Sequence, residues 1–320
     1  MKLVTIVVPN YDCEEYLDKC LESVTSQTYT NLEIIVCDNG SSDNSVSIIN
    51  KWAAKDARIK VLINEVNQGL VNCYNRMFFA ATGDYVMIQD ADDWCDVKRA
   101  EKQAAILDKY DVGLCLTNAI YYEHFNDPKI KDGGPSRMID IHTEEVWAPA
   151  TIMFRREILD TVPGFNVFFH KVTSYDRYLI LEILHKYGGY YLDDPLYHVW
   201  VRPNSDHRTV DISDPNFLRK TISYDVYKEL KRQRIATGTD WLKENNLDAL
   251  KKYENSLLND HRYIADKLRT FACIQIDYGN YKEGRRLLKA AFKKSPFLAS
   301  NYRSFLYYLR ARQANNPVTN

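Results

Sequence analysis

Residues 84–93 read Asp-Tyr-Val-Met-Ile-Gln-Asp-Ala-Asp-Asp. Tyr85 to Ile88 form an apolar run short enough for a strand and continuous enough to be buried on both faces. The run stops at three carboxylates. In an extended segment, residues i and i+2 project to the same side, so Asp90 and Asp92 can face one site while Ala91 turns away. In an open parallel sheet, ligands bind beyond the carboxyl ends of the strands, which is where these acids fall.

The neighbouring sequence repeats the pattern. Residues 3–8 and 32–37 are β-branched apolar runs, and 59–63 is a third. Helix-compatible stretches lie between them, the first with Tyr16, Leu17, Cys20, Leu21 and Val24 on one stripe, the others at 44–55 and 70–81. Strand and helix alternating every 25–30 residues predict an α/β fold, a mainly parallel sheet flanked by helices. Each strand runs into a polar segment: Pro9-Asn10-Tyr11-Asp12, Asp38 to Asp43, and Asp90 to Asp93. Downstream, the pattern predicts a helix at 97–107, a strand at 112–118, helices at 155–161 and 174–187, and a strand-like 190–202 with turns at Asp193-Asp194-Pro195 and Arg202-Pro203-Asn204. Residues 119–145 read as a polar, irregular loop with a turn at Asp132-Gly133-Gly134-Pro135, and a loop that long is more often functional than idle.

Beyond residue 216, Gly and Pro become scarce and apolar residues recur at three- and four-residue spacing (Ile264, Leu268, Phe271, Ile274, then Leu287, Leu288, Ala291). This predicts an all-helical extension over 216–320. Within it, Tyr278 to Pro296 has the spacing of one tetratricopeptide-like hairpin. The formal charge of −1 over 320 residues hides a division. Residues 1–215 carry 21 Lys+Arg and 33 Asp+Glu, a net of −12; residues 216–320 carry 21 and 10, a net of +11. Such asymmetry points toward anionic partners for the basic half. A plain solvated helical surface is the alternative.

At 45% apolar, the chain is neither disordered nor a disulfide miniprotein. Seven cysteines without a Cys-x-x-Cys pair suggest neither a disulfide framework nor a zinc site. No run reaches the ~18–20 apolar residues that cross a bilayer, and residues 3–8 are too short for a signal-peptide core. A cytoplasmic protein is expected, with peripheral contact at the inner face of the membrane.

Clustered carboxylates repel unless a cation neutralises them, and Mg²⁺ or Mn²⁺ takes one or two carboxylates together with substrate phosphates. Asp-x-Asp is a common string, however, and Asp92 or Asp93 could equally cap the following helix. Asp38 in Asp-Asn-Gly could equally be a turn former.

The segments taken in order resemble family 2 glycosyltransferases of the GT-A fold. They are Val4 to Tyr11, Glu15 to Leu17, Gln27 to Tyr29, Leu32 to Val36, Asp38 to Asp43, Asn67-Gln68-Gly69, Asn75, Ala81 to Gly83, Gln89 to Asp93, Phe154 to Glu157, and Gly164-Phe165. The resemblance covers roughly 3–205. It implies a catalytic domain at 1–215, with a nucleotide-binding half to about 110 and an acceptor-binding half at 111–215. It implies a nucleotide site of Pro9, Tyr11, Asp38, Asn67 and Asp90, with Asp38 accepting from the pyrimidine N3–H. Asp92, helped by Asp90, would ligate Mn²⁺ or Mg²⁺, the DXD pattern. Asp176, at a helix start after Gly164-Phe165, takes the position of the general base, although Tyr175 stands where the family usually has Glu. Arg202 and His198 are the candidates for the diphosphate, because the expected Arg and His positions are altered. Trp94 and Trp147 are candidate sugar platforms.

The implied activity is single-displacement, inverting transfer of a sugar, with a UDP-sugar the expected donor, to a glycan or lipid-linked hydroxyl in polysaccharide biosynthesis. No Gln-x-x-Arg-Trp string of the processive synthases is present. A sugar-nucleotidyltransferase would want a Gly-rich basic loop where residues 9–15 are acidic. A non-catalytic sugar-nucleotide-binding module would be favoured by loss of Asp92 or Asp176, and both are present. No nucleic-acid motif accompanies the basic half. Anionic membrane is its expected partner, and oligomerisation is left open.

Overall fold

The computed structural model describes residues 1–122, 128–130, 133–145, 148–201 and 214–314. The chain divides into two compact units, Met1–Val201 and Arg202–Asn320.

The first unit opens with β1 (Val4–Asn10), α1 (Glu14–Thr25), β2 (Leu32–Asp38), α2 (Ser45–Ala53), β3 (Ile59–Ile63), α3 (Leu70–Ala80) and β4 (Tyr85–Ile88). It continues with β5 (Trp94–Cys95), α4 (Arg99–Lys109), β6 (Leu114–Tyr122), β7 (Pro128–Ile130), β8 (Arg137–Ile139), β9 (Met153–Arg155), α5 (Tyr175–Tyr187) and β10 (Gly189–Trp200). These form one mixed sheet in the order β3-β2-β1-β4-β9-β6-β10-β5, with β7 on β6 and β8 on β10. The first four strands are parallel, as is β6 with β10; β9 is antiparallel to both β4 and β6.

Period-2 alternation divides the core into two layers. Val4, Ile6 and Val8 of β1, with Ile34 and Val36 of β2, pack against Leu17, Leu21 and Ala104. Val7, Ile35 and Cys37 face the other way, onto Tyr74, Met77, Phe78 and the α5 residues Leu179 and Ile183. The continuous apolar runs read from the sequence are strands buried on both faces.

Three segments differ from the sequence expectation. Residues 153–155 are a strand, and only Arg156–Asp160 forms a helical turn, of 3-10 type. Phe154 is recruited between Val86 of β4 and Leu114 of β6, a tertiary pairing that local propensity does not reveal. The loop predicted at 119–145 is partly sheet: β6 runs on to Tyr122, and β7 and β8 add short edge strands. Edge pairing needs backbone groups rather than apolar side chains, so a polar sequence conceals it. Asp193-Asp194-Pro195 is an irregularity inside β10, with register shifts on both sides of Pro195, and does not end the strand.

The second unit holds α6 (Phe217–Thr237), α7 (Leu247–Asn259), α8 (His261–Asp277), α9 (Tyr281–Lys294) and α10 (Ala299–Ala314). Gly279, at φ +77°, turns α8 back into α9. Gly284 allows close contact there, since a Cβ would come within 2.6 Å of Ile276. No helix among the described residues is long and apolar enough to cross a membrane.

Candidate active site

The β1–β2 ladder continues to Asn10 opposite Asp38, but the β1–β4 ladder stops at Val7 opposite Ile88. Pro9 has no N–H to donate, and it lies where β4 has already departed. The strand order reverses direction at β1, and a crevice therefore opens between the carboxyl ends of β1 and β4. Pro9, Asn10 and Tyr11 form one side of this switch point, and Gln89 to Asp93 the other.

The β1 and β2 loops are tied to each other. The Asp12 Oδ1 accepts from the Ser42 N–H (2.7 Å), and Asp12 itself adopts φ +48°. The Glu14 N–H donates to Asp43 (2.9 Å) and the Asn44 N–H to Glu14 (2.8 Å). Asp38 lies at the centre, 1% exposed. Its carboxylate accepts from Asn10 Nδ2 (2.8 Å), Ser41 Oγ (2.6 Å), Ser41 N (3.0 Å) and Gly40 N (3.1 Å). These four bonds use the four acceptor positions of a carboxylate. Asp38 is thus the Asx turn former that its Asp-Asn-Gly setting suggests, and Gly40 takes φ +81° beside it. The buried Asn10 Oδ1 next to it has no partner among the described residues. Asn67 joins this rim through Asn39, whose Nδ2 donates to Asn67 Oδ1 at 3.0 Å. Tyr11 is half exposed at the mouth.

Opposite, Asp90 is held by two tyrosines. Tyr74 Oη on α3 donates to Asp90 Oδ1 at 2.6 Å. Tyr197 Oη on β10 accepts the Asp90 N–H at 3.1 Å and lies 3.4 Å from Asp90 Oδ2. Burial, then the charge of Asp92, push the Asp90 carboxyl up to about 6; the tyrosine hydroxyls oppose the rise and the Asp176 carboxylate adds to it. Burial, followed by Asp92 and Asp90, also drives Asp93 well above the usual carboxylate range. Asp93 accepts the Trp200 N–H (2.8 Å) and so anchors the end of β10. Behind the acids, the fully buried Arg99 guanidinium lies 4.8 Å from the Tyr197 ring centroid and donates to the side-chain oxygens of Gln89 and Gln103.

Asp176 enters from α5. Ser174, the residue before that helix, is left-handed at φ +73° although it is not glycine. Strain of this kind, about 1 kcal/mol or more, persists only where the surroundings impose it. Upstream, Asn75 of α3 clamps the chain: its side chain accepts the Phe165 N–H (2.7 Å) and donates to the Phe165 carbonyl (2.8 Å). Gly164 takes φ +87° there, where a Cβ would lie 2.5 Å from Asn75 Oδ1. Phe165 then packs edge-on against Tyr74 (5.0 Å) and against Tyr175 (4.8 Å). Tyr175, in place of the family's Glu, thus belongs to an aromatic chain ending at the Tyr74 that holds Asp90.

Asp90, Asp92, Asp93 and Asp176 therefore share one electrostatic neighbourhood, whereas Asp38 and Asn67 build the rim. His198 and Trp94 belong to a separate aromatic cluster. Their rings stack in parallel at 5.2 Å, Lys19 Nζ sits 3.1 Å from the Trp94 centroid, and His198 Nδ1 pairs with Tyr122 Oη at 3.1 Å. The half-buried Trp94 ring thus packs on His198 and on the Lys19 ammonium. Burial also holds the His198 imidazole below its ordinary pKa, which favours the uncharged form. Arg202, Trp147, Asp132 and the Arg202-Pro203-Asn204 turn lie outside the described residues.

Among the described residues, no group of three or more His, Cys, Asp or Glu side chains is arranged to hold a metal ion. The donor set suits an ion held jointly with a ligand: Asp90 and Asp92 repel each other, and a cation shared with phosphate oxygens would relieve the repulsion.

The description "Glycosyl transferase family 2" matches residues 5–172, more than half of the chain. The chain belongs to glycosyl transferase family 2. Its mixed sheet, helices and switch-point crevice are the GT-A fold of that family. EpsE of Bacillus subtilis (strain 168), whose name assigns it provisionally to the glycosyltransferases, is 30% identical over 228 residues, covering 70% of this chain and 78% of EpsE. WfaP of Escherichia coli, named as a UDP-Glc:alpha-D-GlcNAc-diphosphoundecaprenol beta-1,3-glucosyltransferase, is 30% identical over 193 residues, 58% of this chain and 72% of WfaP. Among solved structures, S. aureus TarS 1-349 in complex with UDP-GlcNAc aligns with a TM-score of 0.61 at 16% identity, covering 99% of this chain and 93% of TarS 1-349. At that identity the likeness concerns the fold.

The contacts of three residues around the acids, Tyr74, Tyr197 and Arg99, escaped the sequence reading of this family 2 transferase. Tyr74 and Tyr197 are 123 residues apart and meet only at Asp90. Arg99 reads in sequence as an ordinary helix residue, and only its burial singles it out.

Proposed function

We propose that this enzyme transfers a hexosyl group from a UDP-sugar to a hydroxyl of a glycan or lipid-linked acceptor, with inversion. The observation that carries the reading is that Asp92, after β4, and Asp176, in the first turn of α5, both act electrostatically on the buried Asp90. In one displacement, the acceptor oxygen bonds to the anomeric carbon as the bond from that carbon to the diphosphate oxygen breaks. The hydroxyl proton passes to the Asp176 carboxylate, and UDP leaves. General base catalysis of this kind contributes about 10²–10⁴-fold.

Pro9, Tyr11 and Asn67 would flank the nucleotide. Asp38 would act chiefly by fixing the loop that forms the uridine rim, leaving the Asn10 Oδ1 beside it as an unsatisfied acceptor. Asp92, with Asp90, would hold Mn²⁺ or Mg²⁺; such an ion neutralises charge developing on the diphosphate. Tyr74 and Tyr197 would orient Asp90, and Arg99 would offset the local negative charge from behind. UDP as the nucleotide is supported by the donor named for WfaP and by the ligand of TarS. A lipid-linked acceptor is supported by the name of WfaP alone. The helical unit at 216–320 is assigned to acceptor delivery in the cytoplasm.

A thermal-shift panel of UDP-, GDP- and dTDP-sugars with Mn²⁺ tests the donor class, because a ligand that binds only the native state raises Tm by mass action. A rise confined to UDP-sugars is expected. A rise only with another nucleotide overturns the UDP reading.

A further inference from the structure

The last described helix, α10, carries apolar residues on its outer side as well as its inner one. Its inward side holds Asn301, Ser304 and Tyr308, all buried, with Phe305 packed between Phe292 (6.3 Å) and Tyr308 (5.9 Å). Asn301 is fully buried and donates from Nδ2 to the Ser295 carbonyl (2.9 Å), and Ser304 meets Cys273 Sγ at 3.6 Å. The outward stripe carries Tyr302, Leu306 and Leu309, spaced by four and three residues, together with Tyr307. Leu306 is 53% exposed, and Phe297, in the turn before the helix, is 95% exposed. A helix that faces water on its outer side would carry polar residues there. Single exposed leucines need no explanation, but a stripe of them with a leading phenylalanine marks a contact surface.

Charge identifies the contact. α10 contains no Asp or Glu, and Arg303, Arg310 and Arg312 stand exposed among the apolar residues. Residues 281–314 together hold nine Lys+Arg against the single Glu283. Two copies of so cationic a face would repel each other. Apolar and aromatic residues interleaved with Arg, on a helix lying flat, instead fit the headgroup boundary of an anionic bilayer.

We infer that the outer face of α10, with Phe297, is a peripheral membrane-binding surface for anionic lipid. It extends the acceptor-delivery reading of the helical unit, yet it needs neither the donor nor the acceptor to be correct, since lipid binding is measured without either.

The test is co-sedimentation of the full chain with phosphatidylcholine vesicles, with and without about 30% phosphatidylglycerol, at low and high salt. Binding is expected on the mixed vesicles, reduced by salt, and absent on pure phosphatidylcholine. Leu306→Ser with Leu309→Ser should lower the partition coefficient roughly tenfold or more, and Arg303→Gln with Arg310→Gln should flatten the salt dependence. Phe297→Ser, in an exposed turn, repeats the apolar test without touching a helix. No binding by the intact chain to mixed vesicles at low salt overturns the inference, as does equal binding by all three variants. A lipid-independent dimer that Leu306→Ser with Leu309→Ser dissolves would show the face to be an interface between copies, which also overturns it.

Discussion

Asn75→Ala removes the clamp that sets the approach to the base helix. In the native chain one amide side chain satisfies both backbone groups of Phe165, at 2.7 and 2.8 Å. The alanine variant leaves an N–H and a carbonyl without partners next to a residue that is 2% exposed. Each lost bond to a buried group costs about 1–3 kcal/mol, and since water partly reaches these two the sum falls near ~2–3 kcal/mol. For a unit of this size, each kcal/mol lowers Tm by about 2–4 °C. The expected loss is therefore roughly 4–12 °C in a thermal melt. The clamp lies one aromatic contact away from Tyr175, and Asp176 is the next residue, so kcat should fall more than the affinity for UDP. A melt within about 2 °C of wild type, with unchanged kcat, would refute the reasoning that Asn75 holds Gly164-Phe165 in place for the catalytic helix.

Other outcomes follow from the same geometry. Asp176→Asn should keep UDP affinity and lose transfer by about 10²-fold or more; near-normal turnover in a steady-state assay removes Asp176 from the base role. Gly164→Ala forces a side chain into φ +87° against Asn75 Oδ1, and a thermal melt should show it destabilised by about 1–3 kcal/mol. Asp90 gives a pH signature in metal-free protein. Its folded carboxyl titrates at about 6, above the ordinary value of 3.8, so the folded state is favoured by protonation. Its stabilising contribution is present at low pH and is lost as pH rises through about 6. Wild type should gain more Tm than Asp90→Asn on going from pH 7 to pH 5 in chelator, and an equal gain in both would show that Asp90 is not the titrating group.

The α/β body was legible because strands buried on both faces announce themselves as uninterrupted apolar runs, and β1 to β4 follow them closely. The carboxylate cluster was legible for a related reason: Asp90 to Asp93 interrupt such a run at its carboxyl end. Pairings that span long sequence separations were not. Phe154 belongs to the sheet because Val86 and Leu114 flank it, and nothing within residues 150–160 says so. Tyr74 looks like one more apolar position on the α3 stripe until its hydroxyl is seen on Asp90. Asp38 shows the converse. Its motif admits both a turn and a base-binding role, and the four hydrogen bonds it makes within its own loops show how fully the turn uses it. The outward apolar stripe of α10 was also concealed, because apolar residues every three or four positions look the same whether they face inward or outward.

The donor site assignment is tested most directly by isothermal calorimetry of UDP with the wild-type chain and with Asp92→Ala, each with Mn²⁺ and with chelator. Metal held jointly by the acids and the diphosphate predicts tight UDP binding only for wild type with Mn²⁺, with Asp92→Ala reduced to the chelator level in both conditions. Equal, Mn²⁺-dependent affinity in the two proteins would contradict the placement of the nucleotide diphosphate at the end of β4.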